Sequence, residues 1–151
     1  LAEPTAGSID ARYDRVAAAV RHALTTVGVD AARSNISTAF NGREPVEYDT
    51  AVEGLGKGGK LPTMWFDAID EVRNVDDERA FSVARRAAQE HGFLVGPSAG
   101  AALAVGLDIA HETPDARVVT IVCDGGEQYF DTLFAPAADT TPAASMQPCS
   151  A

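Results

Sequence analysis

The chain has 151 residues and a mass of 15.7 kDa, and its hydrophobic content of 46% is enough to build the core of one ordinary domain. The formal net charge of −10 and the pI near 4.6 repel phosphate backbones and anionic membrane surfaces, so nucleic acid is not an expected partner. No apolar run approaches the roughly 20 residues that span a bilayer, and no secretory signal is seen, so we expect a cytoplasmic protein without a membrane partner.

The first part of the chain predicts a helix, a strand and a long loop. Apolar residues recur at helical spacing over residues 9–24, and residues 25–30 have the character of a short buried strand. Over residues 31–61 this periodicity is lost while Gly, Asn, Ser and Lys accumulate, which indicates a loop. Loops of this length inside compact domains usually carry a function.

The second part alternates strands with helices. Residues 69–75 predict a strand, and Asp76 or Asp77 is suited to cap the helix that follows, which His91-Gly92 ends. Three further elements are predicted in chain order: a helix over residues 98–111, a strand over 117–123 and a short helix over 126–134.

This alternation predicts an α/β fold with a parallel sheet flanked by helices, because the strands are β-branched and almost continuously apolar. We expect residues 1–134 to form the folded portion. Residues 135–151 are rich in Ala, Pro, Thr and Ser, which is typical of a disordered tail.

The cysteines and histidines have no metal-binding or disulfide pattern. Cys123 and Cys149 are expected to be free thiols. His22, His91 and His111 fall on separate predicted helices at spacings that no metal site uses, so surface or helix-end positions are the favoured interpretation. We therefore predict no metal site.

Ser98 is the first candidate for a functional role. It lies between Gly96 and Gly100 at the predicted start of a helix, where small neighbours allow a planar ligand to approach the backbone. Its hydroxyl could bind a ring nitrogen, or it could cap the helix, since serine is a favoured N-cap residue. On spacing alone, the cap is the favoured interpretation.

Three other segments complete the set of candidates. Asp124 begins an acidic, glycine-rich turn after the strand 117–123, and such a turn beside Ser98 suggests a ligand site at the carboxyl edge of a parallel sheet. Residues 4–8 precede the first helix, where backbone amides can hold a phosphate or simply begin a capped helix. Residues 52–56 form either a glycine hinge or an ordinary flexible connection.

Together these segments resemble the cysteine synthase and cystathionine β-synthase family, pyridoxal-phosphate enzymes of fold type II with a tryptophan synthase β-like fold. Ser98 matches the serine of the family's Gly-x-Ser-x-Gly motif, and residues 123–129 are similar to Pro-Asp-Gly-Gly-Glu-Arg-Tyr. Residues 53–56 resemble the family's Glu-Gly-Ile-Gly loop. Residues 4–8 resemble its phosphate loop, Gly-Thr-Gly-Gly-Thr, with Pro4 and other departures.

The resemblance implies pyridoxal 5'-phosphate as the cofactor, with Ser98 bonded to its pyridine nitrogen and Asp124 beside the same end of the ring. The residues implied at the phosphate are the four that follow Pro4, namely Thr5, Ala6, Gly7 and Ser8. The residues implied in closure of the active site are Gly54, Leu55 and Gly56.

The resemblance covers only the C-terminal half of such an enzyme. Lys57 and Lys60 are the only lysines, and in a flexible loop neither would be desolvated or held in place as a Schiff base requires. No catalytic residue is therefore assigned to this chain. The resemblance implies a complementary N-terminal chain that carries the Schiff-base lysine, and a dimer of such pairs.

The implied reaction is β-replacement or β-elimination on a serine- or cysteine-like amino acid substrate, which this chain would not perform alone. A split subunit and a cleaved fragment both fit this interpretation. The alternative is a noncatalytic pseudoenzyme half that acts as a binding or regulatory partner.

Overall fold

The structure, a computed structural model, describes residues 15, 16, 18 and 19 and residues 24–135. The α/β fold with a parallel sheet flanked by helices is confirmed in this part of the chain. Among the described residues, no helix has the length and apolar character that crossing a bilayer requires. The elements in chain order are β1 (Val27–Ala31), α1 (Asn35–Phe40), a 3₁₀ turn (Phe66–Ala68), β2 (Glu71–Val75), α2 (Asp77–His91), α3 (Pro97–Glu112) and a second 3₁₀ turn (Gly126–Tyr129).

Two predictions fall largely outside this part of the chain. Residues 15, 16, 18 and 19 are helical, as predicted for residues 9–24, while most of the remaining positions of that helix lie outside the described residues. The predicted phosphate loop at residues 4–8 and residues 136–151 of the tail also lie outside them.

β1 and β2 form a two-stranded parallel sheet. Their register pairs Val27 with Glu71 and Ala31 with Val75, so both strands end at the same edge. This carboxyl edge is where parallel α/β sheets place their ligand sites.

Helix α2 begins and ends as local sequence signals predict. The Asp76 carboxylate accepts a hydrogen bond from the Arg79 amide at 2.8 Å, which satisfies a free donor of the first turn. At the other end Gly92 adopts φ +72°, a left-handed conformation that glycine adopts without strain.

Helices α2 and α3 pack tightly because a glycine lies where they cross. A Cβ added at Gly100 would collide with the Ala80 carbonyl oxygen and would lie 2.9 Å from the Ala84 Cβ. Around this crossing the loop before β2, β2 itself and both helices bury one apolar core. Its buried residues are Val52, Val75, Ala80, Ala101, Ala104 and Val105.

The predicted strand at residues 117–123 is not a strand in the structure. Its backbone amides donate no hydrogen bond to another backbone group among residues 24–135, and Val119 and Ile121 are 85% and 75% exposed. A strand requires a neighbour for its ladder, and the described part of this chain provides none here. The β-branched composition therefore indicates a propensity to form a strand, but propensity alone is not sufficient to form one.

The predicted loop at residues 31–61 contains helix α1, which the periodicity did not show. The Ser34 hydroxyl accepts from the Ile36 amide at 3.3 Å, and the buried Asp30 carboxylate accepts from the Ser37 amide at 2.9 Å. These two acceptors satisfy the first turn of a helix too short to persist alone. The predicted helix over 126–134 is also shorter, a 3₁₀ turn over Gly126–Tyr129 followed by irregular turns.

Candidate active site

Ser98 lies in the first turn of α3 but does not cap it. The N-cap is Gly96, which makes no side-chain capping bond, and Pro97 is the first helical residue. The Ser98 hydroxyl is half-buried and donates instead to a carboxylate oxygen of Asp124 at 3.4 Å. The helix-cap interpretation of Ser98 is therefore wrong, and its hydroxyl is available for a contact outside the helix.

Asp124 is the centre of a small hydrogen-bond network. Its second carboxylate oxygen accepts from the Tyr129 hydroxyl at 2.7 Å, and its backbone carbonyl accepts from the Gly96 amide at 3.3 Å. The bond to Asp124, together with burial, raises the pKa of Tyr129 to about 12, because ionising the phenol would place two anions side by side. The structure thus brings together Ser98 and Asp124, which are distant in sequence.

Small residues make this approach possible. A Cβ at Gly96 would overlap the Asp124 carboxylate, so only glycine lets the start of α3 come this close to the turn. The segment before α3 also pairs with the turn through an isolated antiparallel bridge between Val95 and Gly125. The Gly126 amide donates to the Leu94 carbonyl at 3.1 Å beside it.

The glycine loop at residues 52–56 is held at both ends. On one side the Asp77 carboxylate, at the start of α2, accepts from the Thr50 hydroxyl and the Ala51 amide, each at 2.6 Å. On the other side the Lys57 amide donates to the Ser34 hydroxyl at 3.2 Å. The loop is thus anchored on both sides of its glycines.

Within the loop, two glycines adopt backbone angles that favour glycine. Gly54 has φ +81° and Gly56 has φ +68°. Leu55 between them packs in part against the apolar core, and the nearby Glu53 carboxylate contributes to the raised pKa of Tyr129. Among the described residues, no hydrogen bond joins this loop to Ser98 or Asp124.

Other residues singled out in the sequence are not part of this network as the structure describes it. Thr5, Ala6, Gly7 and Ser8 are outside the described residues. Lys57 and Lys60 are exposed, and the Lys60 ammonium lies 4.8 Å from the centre of the Phe66 ring. Cys123 is exposed beside the turn, and within residues 24–135 no group of His, Cys, Asp and Glu is arranged to hold a metal ion.

Three residues were not assigned a role at the site from sequence: Tyr129, Glu53 and Asp77. Tyr129 is the last residue of the motif that begins at Cys123. Its position five residues after Asp124 is the only local signal of the contact between them. The Asp77 carboxylate binds loop residues 26 and 27 positions away in the chain. No local sequence pattern encodes such contacts.

The network fits the pyridine end of pyridoxal phosphate. A hydroxyl can donate to an unprotonated ring nitrogen or accept from a protonated one, and Ser98 has this choice because its bond to Asp124 is long, at 3.4 Å. Gly96 and Ala99, both small and buried, flank it. The residues expected at the phosphate lie outside the described part of the chain, so the fit concerns the ring alone.

Comparison with known proteins agrees with this geometry. Residues 7–124 match the family described as "Pyridoxal-phosphate dependent enzyme". Cysteine synthase A of Salmonella typhi is 34% identical over 116 residues, which are 74% of this chain and 36% of that protein. Cysteine synthase A of Escherichia coli is 33% identical over 103 residues, 66% of this chain and 32% of that protein.

A solved structure shows the same relationship. The O-acetylserine dependent cystathionine β-synthase of Helicobacter pylori has 32% identity and a TM-score of 0.59, covering 73% of this chain and 34% of that one. This chain thus spans about a third of the length of the proteins it matches. With the family match extending through Asp124 and the α/β fold around Ser98, the chain belongs to the pyridoxal-phosphate-dependent enzymes of fold type II, of the cysteine synthase and cystathionine β-synthase type.

Proposed function

We propose that this chain is the C-terminal portion of an enzyme that performs β-replacement or β-elimination on a serine- or cysteine-like amino acid. A second chain carrying the Schiff-base lysine completes it, and two such pairs form a dimer. The observation that carries the proposal is the Ser98 hydroxyl, which faces Asp124 rather than capping its own helix. Two similar proteins are cysteine synthases and one is an O-acetylserine dependent cystathionine β-synthase, so a serine derivative with a leaving group on Cβ is the favoured substrate class.

The chemistry of Ser98 suits this reaction. Bound pyridoxal phosphate supplies an electron sink for the α-carbon of the amino acid. A neutral hydroxyl, unlike a carboxylate, does not force the ring nitrogen to remain protonated. With Ser98 the bound cofactor is therefore a mild electron sink, one that withdraws electrons less strongly. A mild sink favours loss of the β-substituent over transamination.

Asp124 and Tyr129 prepare Ser98 for this role. The Ser98 hydroxyl has one proton, so donation to Asp124 and donation to a ring nitrogen exclude each other. Tyr129 satisfies one Asp124 oxygen at 2.7 Å, while Ser98 is held by the other at 3.4 Å. The strong bond therefore goes to the tyrosine, and the serine can rotate toward the ring at small cost.

The exposed lysines support the proposal of a second chain. Lys57 and Lys60 are exposed, and an exposed ammonium lacks the desolvation that an amine nucleophile needs. The chain also spans only 32–36% of the cysteine synthases that it matches. The proposal assigns the lysine and the remaining part of the fold to a partner.

Native mass spectrometry of the protein purified from its source, combined with its visible absorbance spectrum, tests the proposal. We expect a complex that contains a second, lysine-bearing chain and that absorbs in the visible through its bound cofactor. A stable, colourless assembly of this chain alone would contradict the enzyme and support the binding or regulatory alternative.

A substitution at Ser98 tests the assignment of the site. In the complex, Ser98→Ala is expected to lower turnover of O-acetylserine with sulfide by about tenfold, and to shift the absorbance of the bound cofactor. Assembly should persist, since Gly96 and not Ser98 caps the helix. Ser82→Ala, on the exposed face of α2, is the matched control and should change neither property. Equal activity of both variants would remove Ser98 from the site.

A further inference from the structure

Two adjacent aspartates at the start of α2 make different contacts. Asp76 caps the helix, since its carboxylate accepts from the Arg79 amide at 2.8 Å. Asp77 is the first helical residue, but its carboxylate binds groups outside the helix. One oxygen accepts from the Thr50 hydroxyl and the other from the Ala51 amide, each at 2.6 Å. Capping therefore does not account for the contacts of Asp77.

These contacts fix the backbone that enters the glycine loop at residues 52–56. Hydrogen bonds to a carboxylate are shorter and stronger than those between neutral groups. Thr50 is half-buried, so water competes less for its hydroxyl. The Thr50 oxygen in turn accepts from the amide of Val52 at 3.1 Å, and the Val52 side chain is buried in the core. The path from Asp77 into the loop is thus held at each residue.

The loop held in this way lies at the carboxyl edge of the sheet. Asp77 follows the end of β2, and Ser34 and Asn35 follow the end of β1. Beyond the glycines, the Lys57 amide donates to the Ser34 hydroxyl at 3.2 Å, and the Lys57 carbonyl accepts from the Asn35 amide at 3.0 Å. Groups that follow both strands therefore hold residues 50–57 at the edge where parallel α/β sheets bind their ligands.

Between its anchors the loop has little packing of its own. Gly54 has φ +81°, and among the described residues a Cβ added there would have no other group within 4 Å. Only Leu55 packs in part against the core. The position of this segment therefore depends on the bonds at its ends more than on contacts along it.

We propose that Asp77 is a positioning residue for the amino acid substrate, because it holds residues 52–56 where they cover the bound substrate. This inference rests on the proposed function, and it requires no contact between Asp77 and the substrate. When an anchor is lost, the loop has more arrangements and only a fraction of them is competent to bind. The apparent affinity for the substrate falls by that fraction. Ser98 and Asp124 are left unchanged, so the reaction itself is affected less than binding.

Substitutions that keep the size of these side chains test the proposal. Asp77→Asn leaves one oxygen for two donors. Thr50→Val removes the hydroxyl, whereas Thr50→Ser retains it. Glu78→Gln removes an equal charge from an exposed side chain in the same turn of α2 and is the matched control. Because Asp76 caps the helix in every variant, the circular dichroism spectrum of the chain should not change.

Steady-state kinetics measure the effect on the substrate. Each variant is expressed in the source organism, purified natively and assayed with O-acetylserine and sulfide. We expect Asp77→Asn and Thr50→Val to raise the KM for O-acetylserine by about tenfold while kcat changes by less than about twofold. Thr50→Ser and Glu78→Gln should retain the native KM. An unchanged KM in both Asp77→Asn and Thr50→Val would overturn the positioning role of Asp77.

Hydrogen exchange of the chain alone separates this inference from the proposed function. Asp77→Asn should speed exchange of the amides in residues 51–56 by at least about tenfold, and Glu78→Gln should leave it unchanged. Equal exchange in these two variants would overturn the anchoring of the loop by Asp77 and leave the proposed function intact. No turnover by the unsubstituted, natively purified protein, with exchange altered as expected, would overturn the proposed function and with it the role of Asp77 toward a substrate.

Discussion

At the scale of single residues, the site depends on how one carboxylate divides its hydrogen bonds. Asp124 accepts a short bond from Tyr129 and a long one from Ser98. Charged acceptors strengthen hydrogen bonds, and partial burial limits competition from water. The tyrosine therefore fixes the carboxylate, and the serine remains able to bind something else.

Replacing Asp124 should change the titration of Tyr129. In Asp124→Asn the anionic acceptor is lost, so the pKa of Tyr129 should fall from about 12 toward its ordinary value of roughly 10. Because the folded-state pKa is the higher one, the stabilisation from this bond is complete below about pH 10 and is lost as the pH rises through about 12. Ultraviolet titration of tyrosinate, with Tyr129→Phe to identify the signal, measures the shift. Identical titrations of the native chain and Asp124→Asn would show that Asp124 does not hold the phenol.

At the scale of elements, the site depends on the contact between α2 and α3. This contact fixes α3, which carries Ser98 in its first turn, against the helix that follows β2. Gly100 lies at the crossing and Gly106 lies further along the same helix, facing Val118. The two glycines therefore separate the effect of close packing from the effect of helix propensity.

Alanine at these two positions should have opposite effects. Gly100→Ala places a Cβ against the Ala80 carbonyl oxygen, and we expect a loss of about 1–3 kcal/mol in the free energy of unfolding. Gly106→Ala meets only an ordinary contact at 3.6 Å, and should stabilise the chain by about 0.5–1 kcal/mol through helix propensity. Urea denaturation measures both. A stabilising Gly100→Ala would mean that the helices are not in close contact there.

Not every element was predictable to the same degree. The ends of α2 followed from Asp76 and Gly92, because capping acts within a few residues. Helix α1 was missed, because its first turn needs the Asp30 carboxylate from β1. Residues 117–123 were predicted as a strand from propensity alone, and pairing is a property of two segments.

At the scale of the whole molecule, stability is distributed unevenly. The buried core joins β2, α2, α3 and Val52, whereas residues 117–123 contribute exposed apolar side chains and no backbone bond within residues 24–135. Regions with few buried contacts open more readily than packed helices.

Hydrogen exchange of the chain alone should reproduce this distribution. Amides in the facing turns of α2 and α3 should exchange most slowly, because opening them requires separating the core. Amides in residues 117–123 should exchange at rates close to those of an unfolded peptide. Mass spectrometry of peptic fragments resolves these regions, and slow exchange throughout residues 117–123 would show that the segment is already paired without a partner.

The sequence by itself determined the family, the ends of α2, the α/β class and the choice of Ser98 and Asp124 as candidates, because motifs, caps and apolar periodicity act over short distances. Only the tertiary structure decided that Ser98 faces Asp124 instead of capping α3, that Tyr129 holds the same carboxylate, and that Asp77 anchors the glycine loop. It also showed that residues 117–123 remain unpaired within the described part of the chain. Each of these results depends on contacts between segments distant in sequence, which no local pattern encodes.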